Sequence, residues 1–251
     1  MTPPVVAVAS GKGGVGKTSV AVALARALVA DGLRVGLLDA DLHGPDVPRM
    51  LGIRRDAPAR SVTLTAAAGS PNATIEAVEV DGLKVASAGF LMGGAQGLTM
   101  AGPFAEMMLA RLLRQTRWGE LDLLLVDLPP GTGDVQQALQ RQEPDAAVLL
   151  VVTPAEVSHL DTGRAVAVLR QGGTTVLGAV ENMAYLACPS CGERTALHPP
   201  APQDRTIWAM GVERLAEVPF RPGALPTAED LAPVVAAVRR HRGTRGDAAA
   251  G

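Results

Sequence analysis

Eight residues, Gly11-Lys12-Gly13-Gly14-Val15-Gly16-Lys17-Thr18, stand between an apolar stretch at Val5 to Ala9 and a segment whose apolar residues recur at helical spacing. The pattern G-x-x-x-x-G-K-[ST] in that setting demands a strand, a tight glycine loop and a helix that starts at once, so it restricts the fold more than any other feature. Glycines let the backbone curl until successive N–H groups point inward at phosphate oxygens, and the helix opening at Lys17 adds its partial positive terminus. Lys17 is expected at the β and γ phosphates of a nucleotide, and the Thr18 hydroxyl at a magnesium ion. The expected nucleotide contacts are therefore Gly11, Lys12, Gly13, Gly14, Val15, Gly16, Lys17, Thr18 and Ser19.

The rest of the chain repeats the strand-then-helix theme. Apolar runs at Val5 to Ala9, Arg34 to Leu38, Leu83 to Ser87, Leu121 to Val126, Ala147 to Val152, Thr175 to Val180 and Leu215 to Val218 read as strands. Several are apolar at every position, as strands covered on both faces are. The first helix opens at Lys17, places Val20, Leu24, Ala27 and Leu28 on one face and ends near Asp31-Gly32; further helical patterns occupy Pro103 to Gln115, Val135 to Gln142, Ser158 to Arg170 and Glu229 to Arg240. The fold class is α/β, a doubly wound, mostly parallel sheet with helices on both faces. A length of 251 residues suits one such domain, expected over 1–241, with irregular stretches at Ile53 to Asn72 and near 182–204, and a flexible tail at 242–251.

Charge and composition narrow the partners. A net charge of −2 and an aromatic content of 2% offer neither a basic footprint nor stacking platforms, which argues against nucleic acid. No apolar run approaches the roughly 20 residues of a membrane helix, and the start lacks a charged leader region, so a cytoplasmic location is expected. The last helix carries Leu231, Val234, Val235 and Val238, followed by Arg239, Arg240, Arg242 and Arg245. Without Phe or Trp to seat in a lipid interface, it reads as a helix docked on the sheet rather than on a membrane.

Two acidic sites complete the phosphate chemistry. Asp127 closes an apolar run and so falls at the carboxyl edge of the sheet, where it can face magnesium. The following Leu128-Pro129-Pro130-Gly131-Thr132-Gly133-Asp134 is too rich in Pro and Gly to be regular and reads as a switch that senses the γ phosphate. At Asp39-Ala40-Asp41, strand alternation splays one carboxylate toward metal and the other toward an attacking water. His43 reads as a solvated loop histidine, and Met92, Met100, Met107 and Met108 as core or interface filler.

The chain has two cysteines, Cys188 and Cys191, in a Pro-containing loop after a strand. This context differs from the helix start of a dithiol redox motif, and the residues alone leave metal binding and redox or bland uses open. A tetrahedral zinc or a four-iron cluster takes four protein ligands, and a twofold dimer is the route by which one such pair becomes four thiolates.

These motifs together resemble a known family. The loop with its extra Lys12 is similar to the deviant Walker A loop of the MinD, ParA and nitrogenase iron protein superfamily of dimeric ATPases. Asp39 to Gly52, Trp118 to Asp122, Asp127 to Asp134 and Val180-Glu181-Asn182-Met183 through Cys188-Pro189-Ser190-Cys191-Gly192 resemble the Mrp (ApbC) iron-sulfur carriers. The chain departs from that pattern at Leu197 to Asp204, where the family has a glycine-rich run, and at Ala101, where it commonly has arginine. The resemblance implies an ATPase with Lys12, Lys17 and Asp41 as catalytic residues: Lys12 reaching the partner's nucleotide, Asp41 orienting water. It further implies Asn182 at the adenine edge, magnesium at Thr18, Asp39 and Asp127, and a 4Fe-4S cluster bridged by Cys188 and Cys191 of a homodimer. Apo iron-sulfur proteins and cluster assembly factors are the implied partners. A partitioning or positioning ATPase acting on membrane or DNA, and an ATP-driven electron donor, are the competing functions.

Overall fold

Strand β1 (Val5–Ala9) is buried throughout and feeds the glycine loop, after which helix α1 (Lys17–Ala30) begins directly. The structure, a computed structural model, describes residues 3–42, 44–53, 74–91, 102–131, 134–188 and 190–248. After α1 come β2 (Val35–Asp39), α2 (Val47–Met50), β3 (Ile75–Glu76), β4 (Val78–Val80), β5 (Leu83–Ser87) and α3 (Ala88–Leu91). Next are α4 (Gly102–Gln115), β6 (Thr116–Arg117), β7 (Leu123–Asp127), α5 (Asp134–Gln142), β8 (Ala147–Val152) and α6 (Glu156–Gln171). The chain continues with β9 (Val176–Ala187), β10 (Arg194–Thr195), β11 (Arg214–Phe220) and α7 (Ala232–Ala248).

Among the described residues one nine-stranded sheet runs in the order β10-β9-β8-β1-β7-β2-β5-β4, with β11 paired to β9. Its ladders are parallel except for the short antiparallel partners β4 and β10. Alternation in the strands divides the core. Val6, Val8, Leu37 and Leu125 pack with α1 and α7 on one face, whereas Val5, Ala7, Leu38 and Val126 pack with α4, α5 and α6 on the other. This is the doubly wound α/β arrangement that the motif and strand pattern predict.

The central strands fall where the apolar runs place them; the differences lie at element ends and in the short α2, α3, β3, β4, β6 and β10, which the sequence pattern does not predict. β2 begins and ends one residue later than predicted, which puts Asp39 inside the strand and opposite Asp127 in the ladder. β9 runs on to Ala187 because β11 and β10 supply partners beyond the apolar segment. α7 continues to Ala248, past the point where composition predicts a frayed tail. Its middle is tied by Arg239, which forms an ion pair with the Asp31 carboxylate and donates to the Asp31 carbonyl at 2.8 Å. The stretch 54–73, His43, Met92, Met100, Ala101, Thr132, Gly133, Pro189 and the end from 249 lie outside the described residues.

Candidate functional site

β1 sits between β7 and β8, so the glycine loop emerges at the centre of the sheet's carboxyl edge. Gly16 caps α1 at φ 80, a left-handed conformation that a side chain resists. A Cβ there would also lie 2.2 Å from the Asn182 amide nitrogen. At Gly11 a Cβ would lie 2.2 Å from the backbone nitrogen of Thr162 on α6, so absence of a side chain is a packing requirement. Three elements and the loop's own Ser10 hold the loop. Gly131 N donates to the Ser10 carbonyl at 2.8 Å, Ser10 Oγ donates to the Lys12 carbonyl at 3.0 Å, and Gly11 N donates to Thr162 Oγ1 at 3.2 Å. From β9, Asn182 Nδ2 donates to the Val15 carbonyl at 2.9 Å.

The predicted phosphate and magnesium residues come together. Lys17 Nζ lies 2.6 Å from Asp127 Oδ1, and Thr18 Oγ1 donates to Asp127 Oδ2 at 2.7 Å. Lys17 and Asp127 are both buried, and burial holds the Asp127 carboxyl above its usual range against the opposing pull of Lys17 and Thr18. Asp39 stands beside Asp127 in the ladder and is fully buried. Burial first, and the neighbouring Asp127 charge second, push Asp39 up to about 7. Its oxygens accept from Asp41 N at 3.2 Å, Val47 N at 3.2 Å and Ser87 Oγ at 3.1 Å, so Asp39 organises the segment leading to α2. Asp41 is half-buried, and its Oδ1 accepts from Gly44 N at 3.2 Å. Lys12 is exposed at the loop's tip.

A cavity of about 430 Å³ opens beside the loop, lined by Ser19, Met50, Asn182, Met183, Pro219, Phe220, Arg221 and the loop from Gly223 to Pro226. Arg221 and Asp230 pair across the ends of that wall, with Arg221 Nη2 at 3.1 Å from Asp230 Oδ1. Its size and mixed lining fit a nucleoside.

Cys188 and Cys191 lie at the tip of a hairpin between β9 and β10. Cys188 N donates to the Glu193 carbonyl and Gly192 N to the Cys188 carbonyl, each at 2.8 Å. Cys188 is half-buried and Cys191 exposed, both as free thiols. The backbone N–H groups of Cys191 and Ser190, with the Cys191 side chain, hold the Cys188 thiol below its ordinary range. Donors aimed at sulfur favour the thiolate, the form that binds metal.

Sequence reading misses several supports. Thr162, Ser87, Arg221 and Asp230 act through contacts with residues far away in the chain or by bracing a loop, and nothing in their local pattern marks them. Also unforeseen is the packing of His159, whose Nε2 lies 3.6 Å from Glu181 Oε1 while its ring meets Trp208 edge-on at 5.4 Å.

The chain is similar to known proteins over most of its length. The chain is 40% identical over 217 residues to the iron-sulfur cluster carrier protein of Haemophilus influenzae, covering 86% of this chain and 56% of that protein. It is 38% identical over 217 residues to the protein of the same description from Pyrococcus horikoshii, covering 86% of this chain and 73% of the other. The chain spans about half the length of the first of the curated relatives it matches, at 56%, 52%, 51% and 53%. Among solved structures, a nucleotide-binding protein of Archaeoglobus fulgidus in complex with ADP superposes with a TM-score of 0.70 at 34% identity, over 92% of this chain and 86% of that one. The cell division ATPase MinD of Pyrococcus furiosus shares the fold, with a TM-score of 0.63 at 21% identity over 96% and 99% of the two chains. Residues 2–246 match the family described as NUBPL iron-transfer P-loop NTPase, and the chain belongs to that family.

Proposed function

We propose that this protein binds and hydrolyses ATP with magnesium and, as a homodimer, carries a 4Fe-4S cluster to apo iron-sulfur proteins. The observation that carries the reading is one strand with two duties: β9 braces the phosphate loop through Asn182 and ends in the Cys188/Cys191 hairpin. Lys17 and the loop amides would take the phosphates. Thr18 and Asp127, with Asp39 behind them, would hold magnesium. Asp41 would orient the hydrolytic water, and Lys12, exposed at the loop's tip, would reach the partner's nucleotide. Asn182 and Ser19 line the cavity that would receive the nucleoside.

The cluster is cargo rather than a resident group. Among the described residues no group of three or more His, Cys, Asp and Glu side chains is placed to hold a metal. Two thiolates per chain are half of what a four-iron cluster uses, and a twofold axis would supply the rest. Both thiols stay available in a reducing cytoplasm, where recipient proteins and cluster assembly factors would be met. Among the described residues no helix is long and apolar enough to cross a membrane.

Anaerobic reconstitution tests the reading. About two irons and two sulfides per chain are expected, one cluster per dimer, with Cys188→Ser and Cys191→Ser each losing the cluster while ATP still binds. A protein that stays colourless and keeps stoichiometric zinc on dimer dissociation would overturn the carrier function.

A further inference from the structure

β9 changes character along its length. From Ala179 to Glu181 it lies between β8 and β11, and Val152 to Glu181 is its last pairing with β8. Beyond that point it is held by the end of β11 and by β10 alone, and this freer half carries the cysteines. The two halves meet at an irregularity. Val218 pairs with Asn182 and Phe220 with Leu186, so β9 spends two more residues than β11 on the same span.

Met183 lies in that bulge with φ 54. The other described non-glycine residue at positive φ, Asp81 at φ 51, sits in an Asp81-Gly82 hairpin turn that favours it. Methionine has no short polar side chain to bond locally and gains nothing from the left-handed region, so its backbone is strained. Its side chain faces the nucleotide site. Met183 lines the cavity beside Asn182, and its Cε lies 3.2 Å from where a Cβ on Gly16 would stand. Phe220 lines the same cavity and is the ladder partner of Leu186, two residues before Cys188.

We infer that Met183 is a positioning residue that transmits occupancy of the nucleotide cavity to the cysteine hairpin. This rests on the proposed reading, in which the cavity takes the nucleoside and the hairpin the cluster. A base seated in the cavity meets the Met183 side chain. The stretch of β9 from Ala179 to Glu181, just before Met183, is fixed between two strands, so displacement is relieved by turning the arm from Ala184 to Cys188 about the strained residue. Nucleotide occupancy then sets how the thiols are presented.

The test is the alkylation rate of Cys188 and Cys191 in the cluster-free full chain, by a maleimide under anaerobic conditions, with and without saturating Mg·ADP. In the wild-type protein Mg·ADP should change the rate by about fivefold, which at 1.4 kcal/mol per tenfold is about 1 kcal/mol. Met183→Ala, which removes the side chain, and Met183→Gly, which removes the strain, should each lose that dependence at their own saturating Mg·ADP. Met183→Leu should restore it, which a merely structural role would not require. Retention of the full dependence in Met183→Ala overturns the inference. Hydrogen exchange of residues 184–196 in the wild-type chain gives a second reading that needs no variant: unchanged exchange on binding Mg·ADP also overturns it. A protein that takes up a cluster but shows no nucleotide-dependent alkylation sinks this inference and leaves the carrier function standing. One that shows the dependence but takes up no cluster keeps the coupling and sinks the carrier function.

Discussion

The phosphate loop and the cysteine hairpin both project from the carboxyl edge of one sheet, yet they are held in opposite ways. The loop draws partners from β9, from α6 and from the segment after β7, and its backbone is pressed against Thr162. The hairpin is tied by its own turn bonds and two rungs with β10. A site that must match a triphosphate is defined by the whole fold. Under the proposed function, the site that would hand over its cargo is defined locally, and its geometry can change without disturbing the core.

Lys17→Ala should break this contrast most severely, because it strips the phosphates of their counter-charge and leaves Asp127 buried without its partner. We expect loss of ATP affinity by at least about 100-fold, and of roughly 3 kcal/mol in stability, since removing one member of a buried pair leaves an uncompensated charge. Calorimetry and urea unfolding check both. Gly11→Ala comes next: the clash is with backbone atoms of Asp161 and Thr162, which have no rotamer to yield. A stability loss of about 2 kcal/mol is expected, with weaker nucleotide binding while the hairpin thiols titrate with reagent as before.

Asp39→Asn sharpens the comparison through pH. Asp39 is raised from 3.8 to about 7, so between those values the native state holds a proton that the unfolded chain releases, and stability falls as pH rises through the window. The asparagine variant should flatten that slope in magnesium-free protein and be the more stable above pH 7, by about 1 kcal/mol, while losing hydrolysis. Urea midpoints across the window decide it; equal slopes in the two proteins would show that Asp39 is not the group responsible. The smallest effect belongs to the hairpin. Arg194 lies over the Tyr185 ring at 4.3 Å, and Arg194→Ala should cost no more than about 0.5 kcal/mol with nucleotide affinity unchanged.

Much of the first region is legible in the sequence because its signals are local. The strand, the eight-residue loop and the helix are contiguous, and β1 occupies Val5–Ala9 as its apolar run predicts. Asp127 is legible too, as the acid that ends an apolar strand. What is not legible is long-range support: Thr162 lies 151 residues from Gly11, and Ser87 lies 48 from Asp39. The second region is read less fully for the same reason. The Cys188-Pro189-Ser190-Cys191 motif is visible, but the extension of β9 is not, because Glu181, Asn182 and Tyr185 interrupt the apolar pattern while Phe220 and Thr195 supply the pairing. α7 outruns its sequence signal, since Gly243 and Gly246 are poor helix formers and favour the shorter reading.

The missing side chain at Gly11 has a mechanical meaning. Side chains between two elements act as compliant spacers, since their rotamers can absorb a small shift. At Gly11 there is no spacer: loop backbone lies against the backbone of α6, with Thr162 Oγ1 bonded to Gly11 N. The joint is stiff in compression, so loop and helix move as one part, in contrast with the jointed arm at the far end of β9.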